Sequence, residues 1–235
     1  MRGPMTVKLG SLLNIYAAGL MRSYGKQKLF CIGLNKTGTT SLSRALERLG
    51  IQVAPQYLAE PFIRDWSRRD FRRIIRFCRY FQAFQDVPFS CPFTYQPLDC
   101  AFPGSKFILT VRQSAEQWSN SLTRFHSKMF GAGKLPTIAD LKAAGYLYPG
   151  FALDFYQAVF PTDRASLYEP GMLQEYYNSH KAAVTEYFRH RPADLLVLDV
   201  SSASAFAELC RFLGKEVRNE PFPWDNKTDD IVAPT

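Results

Sequence analysis

The chain has 235 residues, 46% of them hydrophobic and 21% charged, which fits one sizeable globular domain and excludes a disordered or low-complexity protein. No run approaches the ~20 apolar residues that span a bilayer. The formal net charge of +8 favours an anionic ligand without choosing among nucleotide, polysaccharide and nucleic acid. Five cysteines, odd in number and without a CxxC pair, point to free thiols in a reducing compartment, hence a cytoplasmic protein without a metal cluster.

In chain order, Leu9, Leu12, Leu13, Tyr16 and Leu20 fall at helical spacing and predict an amphipathic N-terminal extension within residues 1–26 that packs on the domain. A short signal sequence or a membrane-surface anchor are its alternatives. "KLFCIGL" (28–34), apolar without alternation, predicts a first strand buried on both faces. "SLSRALERLG" (41–50) predicts a helix with Gly50 at its C-terminal cap. "IQVA" reads as a short second strand. From 62 to 84 an arginine-rich helical stretch keeps Phe71, Ile74, Ile75, Cys78 and Phe81 on one side and Arg68, Arg72, Arg76 and Arg79 on the other. "FQAFQDV", ending near Asp86, and "SKFILTVR" (105–112) are further strands, the second followed by a helix over 114–130. Residues 131–171, rich in Gly, Pro and Tyr, predict an irregular cap or lid. A helix closed by Pro192, a strand at 194–200 and a helix ending at Gly214 complete an α/β pattern in one domain. The rhythm predicts a three-layer α/β/α fold around a parallel sheet of about five strands.

The first strand runs into "GLNKTGTTSL". Gly33 and Gly38 have the separation of a Walker loop, but Thr39 stands where its lysine belongs and Lys36 lies inside the loop. A strand, a glycine loop and a helix still make an anion site, because backbone N–H groups converge and the helix dipole adds positive charge. Thr37, Thr39, Thr40 and Ser41 supply hydroxyls, and Lys36 a full charge. Asp199, closing "LLVLD", stands where a Walker-B aspartate would, which keeps a P-loop kinase or NTPase as an alternative. A scaffold that retains a degenerate anion loop is another.

"NKTGTTSL" resembles the 5′-phosphosulfate loop of the sulfotransferases, with Asn35 in place of their usual proline. "TVRQSAEQWSNS" resembles their 3′-phosphate motif: Arg112 ends a buried strand, and Ser119 and Ser121 follow seven and nine residues later, with Ser121 favoured because it follows Trp118 in the bacterial manner. "RPADLLVLDV", "LCRFLG" and "PFPWDN" extend the resemblance over most of the chain from Lys28. It implies a P-loop-like fold, 3′-phosphoadenosine 5′-phosphosulfate (PAPS) as donor without a metal, and a small-molecule, sugar or lipid-headgroup acceptor, with no nucleic-acid partner. It further implies that residues 35–41, Arg112 and a serine hold the nucleotide, with Trp224, Asn226 and Lys227 closing over it. Lys36 stabilises the departing phosphate. Asp86, in "FQDVPF", takes the position of a catalytic histidine, and His126 is the second candidate base. His180 and His190 are expected to be structural, and peripheral membrane contact through the N-terminal helix is a further expectation.

Overall fold

The structure is a computed structural model that describes residues 9–160, 167–218 and 220–223. The chain begins with α1 (Leu9–Ser23), then enters the sheet through β1 (Leu29–Cys31) and crosses back in α2 (Thr39–Arg48). Short helices follow: α3 (Gln56–Ala59), a 3₁₀ turn (Glu60–Phe62), α4 (Ile63–Ser67) and α5 (Arg72–Cys78). Then come β2 (Ala83–Phe84), α6 (Tyr95–Ala101), β3 (Lys106–Thr110) and α7 (Ala115–Phe130). α8 (Ile138–Ala143), α9 (Phe151–Val159), α10 (Pro170–Tyr187), β4 (Leu195–Leu198) and α11 (Ala205–Phe212) complete the fold.

All strand pairs are parallel, in the order β2-β1-β3-β4. β1 alternates its side chains between two cores, as strand geometry requires. Leu29 and Cys31 join α2 and α11 on one face, whereas Phe30 and Ile32 join the larger aromatic core on the other. This is the expected three-layer α/β/α plan. The chain leaves β1 for β2 on one side and then reaches β3 on the other, so the carboxyl end of β1 is the switch point at which such sheets bind ligands.

Among the described residues four strands form, and the expected fifth is reduced to one bridge. "IQVA" contributes a single parallel bridge, Val53 to Ala83, because β2 is only two residues long and offers little more edge to pair with. The arginine-rich stretch is broken where Arg69 takes a left-handed φ of 57° between α4 and α5. Arg68, Arg72, Arg76 and Arg79 are nevertheless all exposed. The 131–171 segment carries α8, α9 and the start of α10 rather than irregular chain. α1 is rotated from its expected orientation. Ile15 and Tyr16 pack on the aromatic core, and Gly19 lets the helix approach to where a Cβ would lie 2.5 Å from the Tyr80 carbonyl. Leu13 and Leu20 therefore face outward, 63% and 42% exposed. All five cysteines are free thiols, and among the described residues no helix is long and apolar enough to cross a membrane.

Candidate active site

The loop between β1 and α2 is held from beneath. Gly33 packs flat against the end of β3: a Cβ there would lie 2.0 Å from Thr110 Oγ1 and 2.6 Å from the Thr110 backbone N and O. Gly38 has a φ of 99°, and a Cβ would meet Val200 at 2.4 Å. Both glycines are thus fixed by close approach, and Gly38 by handedness as well. Gly33→Ala is expected to cost roughly 3 kcal/mol, because the neighbour it strikes is backbone that cannot move aside. Thermal unfolding should show a fall in Tm of about 10 °C, with Gly10→Ala, which meets open space, as the neutral control.

Lys36 takes a left-handed φ of 66°, a strained conformation for a side chain this size. The surrounding hydrogen bonds hold it there. Arg112 Nε donates to the Lys36 carbonyl at 2.8 Å, Trp118 Nε1 to the Asn35 carbonyl at 2.8 Å, and Thr37 Oγ1 to the Leu34 carbonyl at 2.5 Å. Three successive loop carbonyls are occupied by donors, so their negative ends do not oppose an incoming anion. Arg112 is itself braced by Tyr177, whose hydroxyl accepts the Arg112 N–H at 2.9 Å.

This arrangement corrects the expectation for Thr37. Its side chain is fully buried, its hydroxyl also meets Thr110 Oγ1 at 2.6 Å, and its N–H closes a turn on Leu34. Thr37 latches the loop to β3 and presents no hydroxyl to a ligand. Thr39, Thr40 and Ser41 form the first turn of α2, which starts at a glycine with no side-chain cap. That helix end and the loop N–H groups point the positive end of the dipole at the same place.

Cations converge above the loop. The Lys36 ammonium lies 4.1 Å over the Phe125 ring. Burial, and then the nearby Arg112 guanidinium, push it down to about 8, with Asp86 pulling upward and Arg124 adding to the fall. Burial also lowers the Arg112 guanidinium. Among the described residues the terminal nitrogens of Arg112 have no hydrogen-bond partner, which leaves its fork available to a phosphate.

The two serines of α7 separate by face. Trp118 and Phe125 both reach the loop, Arg124 lies close enough to bias Lys36, and Ser121 sits on the helix stripe between them. Ser119 lies on the opposite flank, 3% exposed, its hydroxyl donated to the Glu116 carbonyl at 3.0 Å. Ser121 is therefore the serine on the loop-facing side of α7.

Asp86 also has a left-handed φ, 59°, which aspartate tolerates because its side chain bonds locally. Here Oδ1 accepts the Val87 N–H at 2.9 Å, while Oδ2 stands 3.5 Å from the Thr39 hydroxyl. Part of Asp86 reaches solvent, yet the carboxyl lies deep enough that burial dominates and raises its pKa, against the pull of Val87 N–H, Lys36 and Thr39. The expected cation and carboxylate thus lie close enough for each to favour the other's charged form.

His126 is placed otherwise. It is buried, its Nδ1 is 2.9 Å from the Tyr168 hydroxyl, and burial followed by the Lys36 charge pushes it down to about 3. An imidazole that weak is a poor proton acceptor for an alcohol. His180 Nε2 donates to the Ile32 carbonyl at 2.9 Å and supports the end of β1, while His190 is exposed beside Arg189. The Asp199 carboxylate is engaged by the N–H and hydroxyl of Ser201, the ordinary cap of a turn. Among the described residues no cluster of three or more metal-ligating side chains occurs. Trp224, Asn226 and Lys227 lie outside the described residues.

Glu60 carries a carboxyl that sequence reasoning missed. It is 8% exposed, Tyr146 donates its hydroxyl to Oε1 at 3.0 Å, and burial followed by the Asp86 charge raises it to about 7. Gln56 and Gln85 flank it: Gln56 Nε2 donates to the Val87 carbonyl at 2.9 Å, and among the described residues Gln85 Oε1 is buried without a partner. The only available signal was a lone glutamate in the otherwise apolar run "YLAEPFI". Of the aromatic residues in the 131–171 segment, Tyr146 reaches this cluster. Tyr148 instead bonds Asp154 at 2.8 Å beneath the Arg64 guanidinium, and Phe151 is core.

The site is a P-loop-like strand–loop–helix in an α/β sheet, with occupied loop carbonyls, converging cations and two neighbouring carboxyls. The chain belongs to the sulfotransferase family: the family described as "Sulfotransferase domain" matches residues 28–231, beginning just after α1. No curated protein matches the chain.

Proposed function

We propose that the protein transfers a sulfuryl group from PAPS to a hydroxyl of its acceptor and releases adenosine 3′,5′-bisphosphate. The observation that carries this reading is the juxtaposition of Lys36, in the loop that a 5′-phosphosulfate would occupy, with the Asp86 carboxyl beside Thr39. In this reading the loop N–H groups, Thr39, Thr40 and Ser41 cradle the 5′-phosphosulfate, while Arg112 and Ser121 hold the 3′-phosphate. PAPS supplies an activated sulfur bonded to a good leaving group. The acceptor oxygen bonds to that sulfur as the sulfur–oxygen bond to the 5′-phosphate breaks. The hydroxyl proton passes to the Asp86–Glu60 carboxyl pair, and Lys36 neutralises the charge that develops on the departing phosphate oxygen. Tyr146, partly exposed and bonded through its hydroxyl to Glu60, stands on the acceptor side in this reading, where its ring can meet a sugar or phenolic acceptor. The five free thiols support a reducing, cytoplasmic site of action.

Calorimetric titration tests the donor assignment. Adenosine 3′,5′-bisphosphate should bind without metal, Arg112→Ala should weaken it by about a hundredfold, and Ser121→Ala should weaken it while Ser119→Ala does not. Clear binding of Mg-ATP with none of the bisphosphate would sink the proposal in favour of phosphoryl transfer.

A further inference from the structure

α1 carries two apolar faces, and only one is used. Ile15, Tyr16 and Gly19 pack on the domain. Leu13, Ala17, Leu20 and Met21 follow one another at helical spacing on the outer side, and Tyr24 continues the strip in the turn after the helix; Met21 and Tyr24 are 82% and 84% exposed. The stripe runs into a groove of about 500 Å³ between α1 and α5, lined by Leu13, Tyr16, Phe62, Phe77 and Tyr80 and rimmed by Arg73 and Arg76.

The charge around this face identifies its partner. Residues 9–28 contain three basic and no acidic side chains, and residues 63–80 contain seven arginines against two aspartates. Together they account for the whole +8, and the rest of the chain is balanced at nineteen of each sign. The two aspartates are already paired, Asp65 with Arg73 at 3.1 Å and Asp70 with Arg72 at 2.6 Å. Among the described residues no acidic side chain pairs with Arg76 or Arg79. A second copy of this chain is a poor occupant, because a two-fold interface would set the concentrated charge of each protomer against itself.

We propose that the α1–α5 face docks on an anionic phospholipid surface, with the outer stripe of α1 entering the headgroup boundary and the arginines of α5 meeting lipid phosphates. α1 shares the features of an interfacial helix, an apolar strip without acids and with exposed Arg22 and Lys26 at its end; Lys28 is half-buried and donates to the Phe81 carbonyl. Gly19 seats α1 against Tyr80, so the strip is presented at a fixed angle to the arginines. Long arginine side chains extend past the apolar edge to reach phosphate oxygens.

Sedimentation of the full chain with vesicles tests this. Phosphatidylcholine vesicles containing about 30% phosphatidylserine should bind the protein, and phosphatidylcholine alone should bind far less. About 0.5 M salt should release it, because screening removes the attraction. The double variant Leu13→Glu/Met21→Glu should abolish binding. Arg76→Glu/Arg79→Glu should weaken it by about fivefold for each positive charge removed. Both variants should keep the wild-type Tm and bisphosphate affinity, which separates lost docking from lost folding. Arg112→Ala should lose the bisphosphate and still bind vesicles, so failure of the donor assignment and failure of this proposal are distinguishable. Absence of binding to anionic vesicles at low salt overturns the proposal, as do equal binding to neutral vesicles or wild-type binding by the glutamate variants. A concentration-dependent dimer broken by the same substitutions also overturns it and identifies a protein interface instead.

Discussion

Replacing Lys36 by alanine is expected to lower turnover by about 10²–10³-fold, the loss typical when one preorganised partner of a developing oxyanion is removed. Steady-state kinetics on the Lys36→Ala variant should show the fall in kcat rather than in acceptor KM. Lys36→Met supplies a second readout, because the ammonium titrates where few other loop groups do. Burial and Arg112 hold it at about 8, below its ordinary value of 10.5. A lysine depressed by folding makes the unfolded chain the better proton binder between those values, so stability rises with pH across that window. Ligand affinity runs the other way: an anion needs the charged form, so bisphosphate binding is level below about pH 8 and weakens above it. The wild type should therefore become more stable and bind less well as pH climbs from 8, and Lys36→Met should flatten both trends. A variant that keeps the wild-type affinity profile would remove Lys36 from the anion site.

Asp86→Asn is expected to reduce kcat by about 10²–10⁴-fold while leaving bisphosphate affinity intact or improved, since it removes a negative charge from beside the phosphate site. Glu60→Gln separates the two carboxyls. Glu60 is raised to about 7 by burial and by Asp86, so the active deprotonated pair forms as pH rises through that value. In wild type kcat/KM should climb through about pH 7, and Glu60→Gln should move that limb to lower pH. A buried carboxyl raised from 4.5 destabilises the folded state increasingly between pH 4.5 and about 7. The glutamine variant should therefore be no less stable than wild type at pH 8, which keeps a kinetic loss from being mistaken for unfolding. An unshifted pH limb in Glu60→Gln would remove Glu60 from the proton path.

The elements that sequence could locate are those whose burial is dictated locally. "KLFCIGL" and "SKFILTVR" are apolar on both faces and could only be central strands, and the glycine spacing between β1 and α2 announces a turn before a helix. Arg112 was legible through the resemblance of "TVRQSAEQWSNS" to the 3′-phosphate motif of the sulfotransferases, since a lone arginine after a buried strand fits a surface ion pair equally well. What was not legible depends on neighbours far along the chain. Thr37 and Thr39 look alike in sequence, yet Thr110 takes the first hydroxyl and Asp86 faces the second. The left-handed turns at Lys36 and Asp86 are held by Arg112 just past β3, by Trp118 of α7 and by the Val87 N–H. Glu60 becomes significant only when Tyr146, eighty-six residues later, closes on it. The outward face of α1 was misread because two apolar stripes share one helix, and the choice between them falls to Gly19 and the Tyr80 carbonyl.

The hydrogen bond from Tyr146 to Glu60 joins two parts of the fold with different support. In the proposed reaction the donor would sit on the carboxyl ends of β1 and β3, whose positions the whole sheet enforces. The acceptor would then meet a 3₁₀ turn and the α8–α9 segment, neither of which belongs to the sheet. On that reading, substitutions in that segment alter acceptor preference while the loop and Arg112 stay in register. A library confined to residues 131–160 is the place to test it, with unchanged bisphosphate affinity and altered acceptor preference as the expected result.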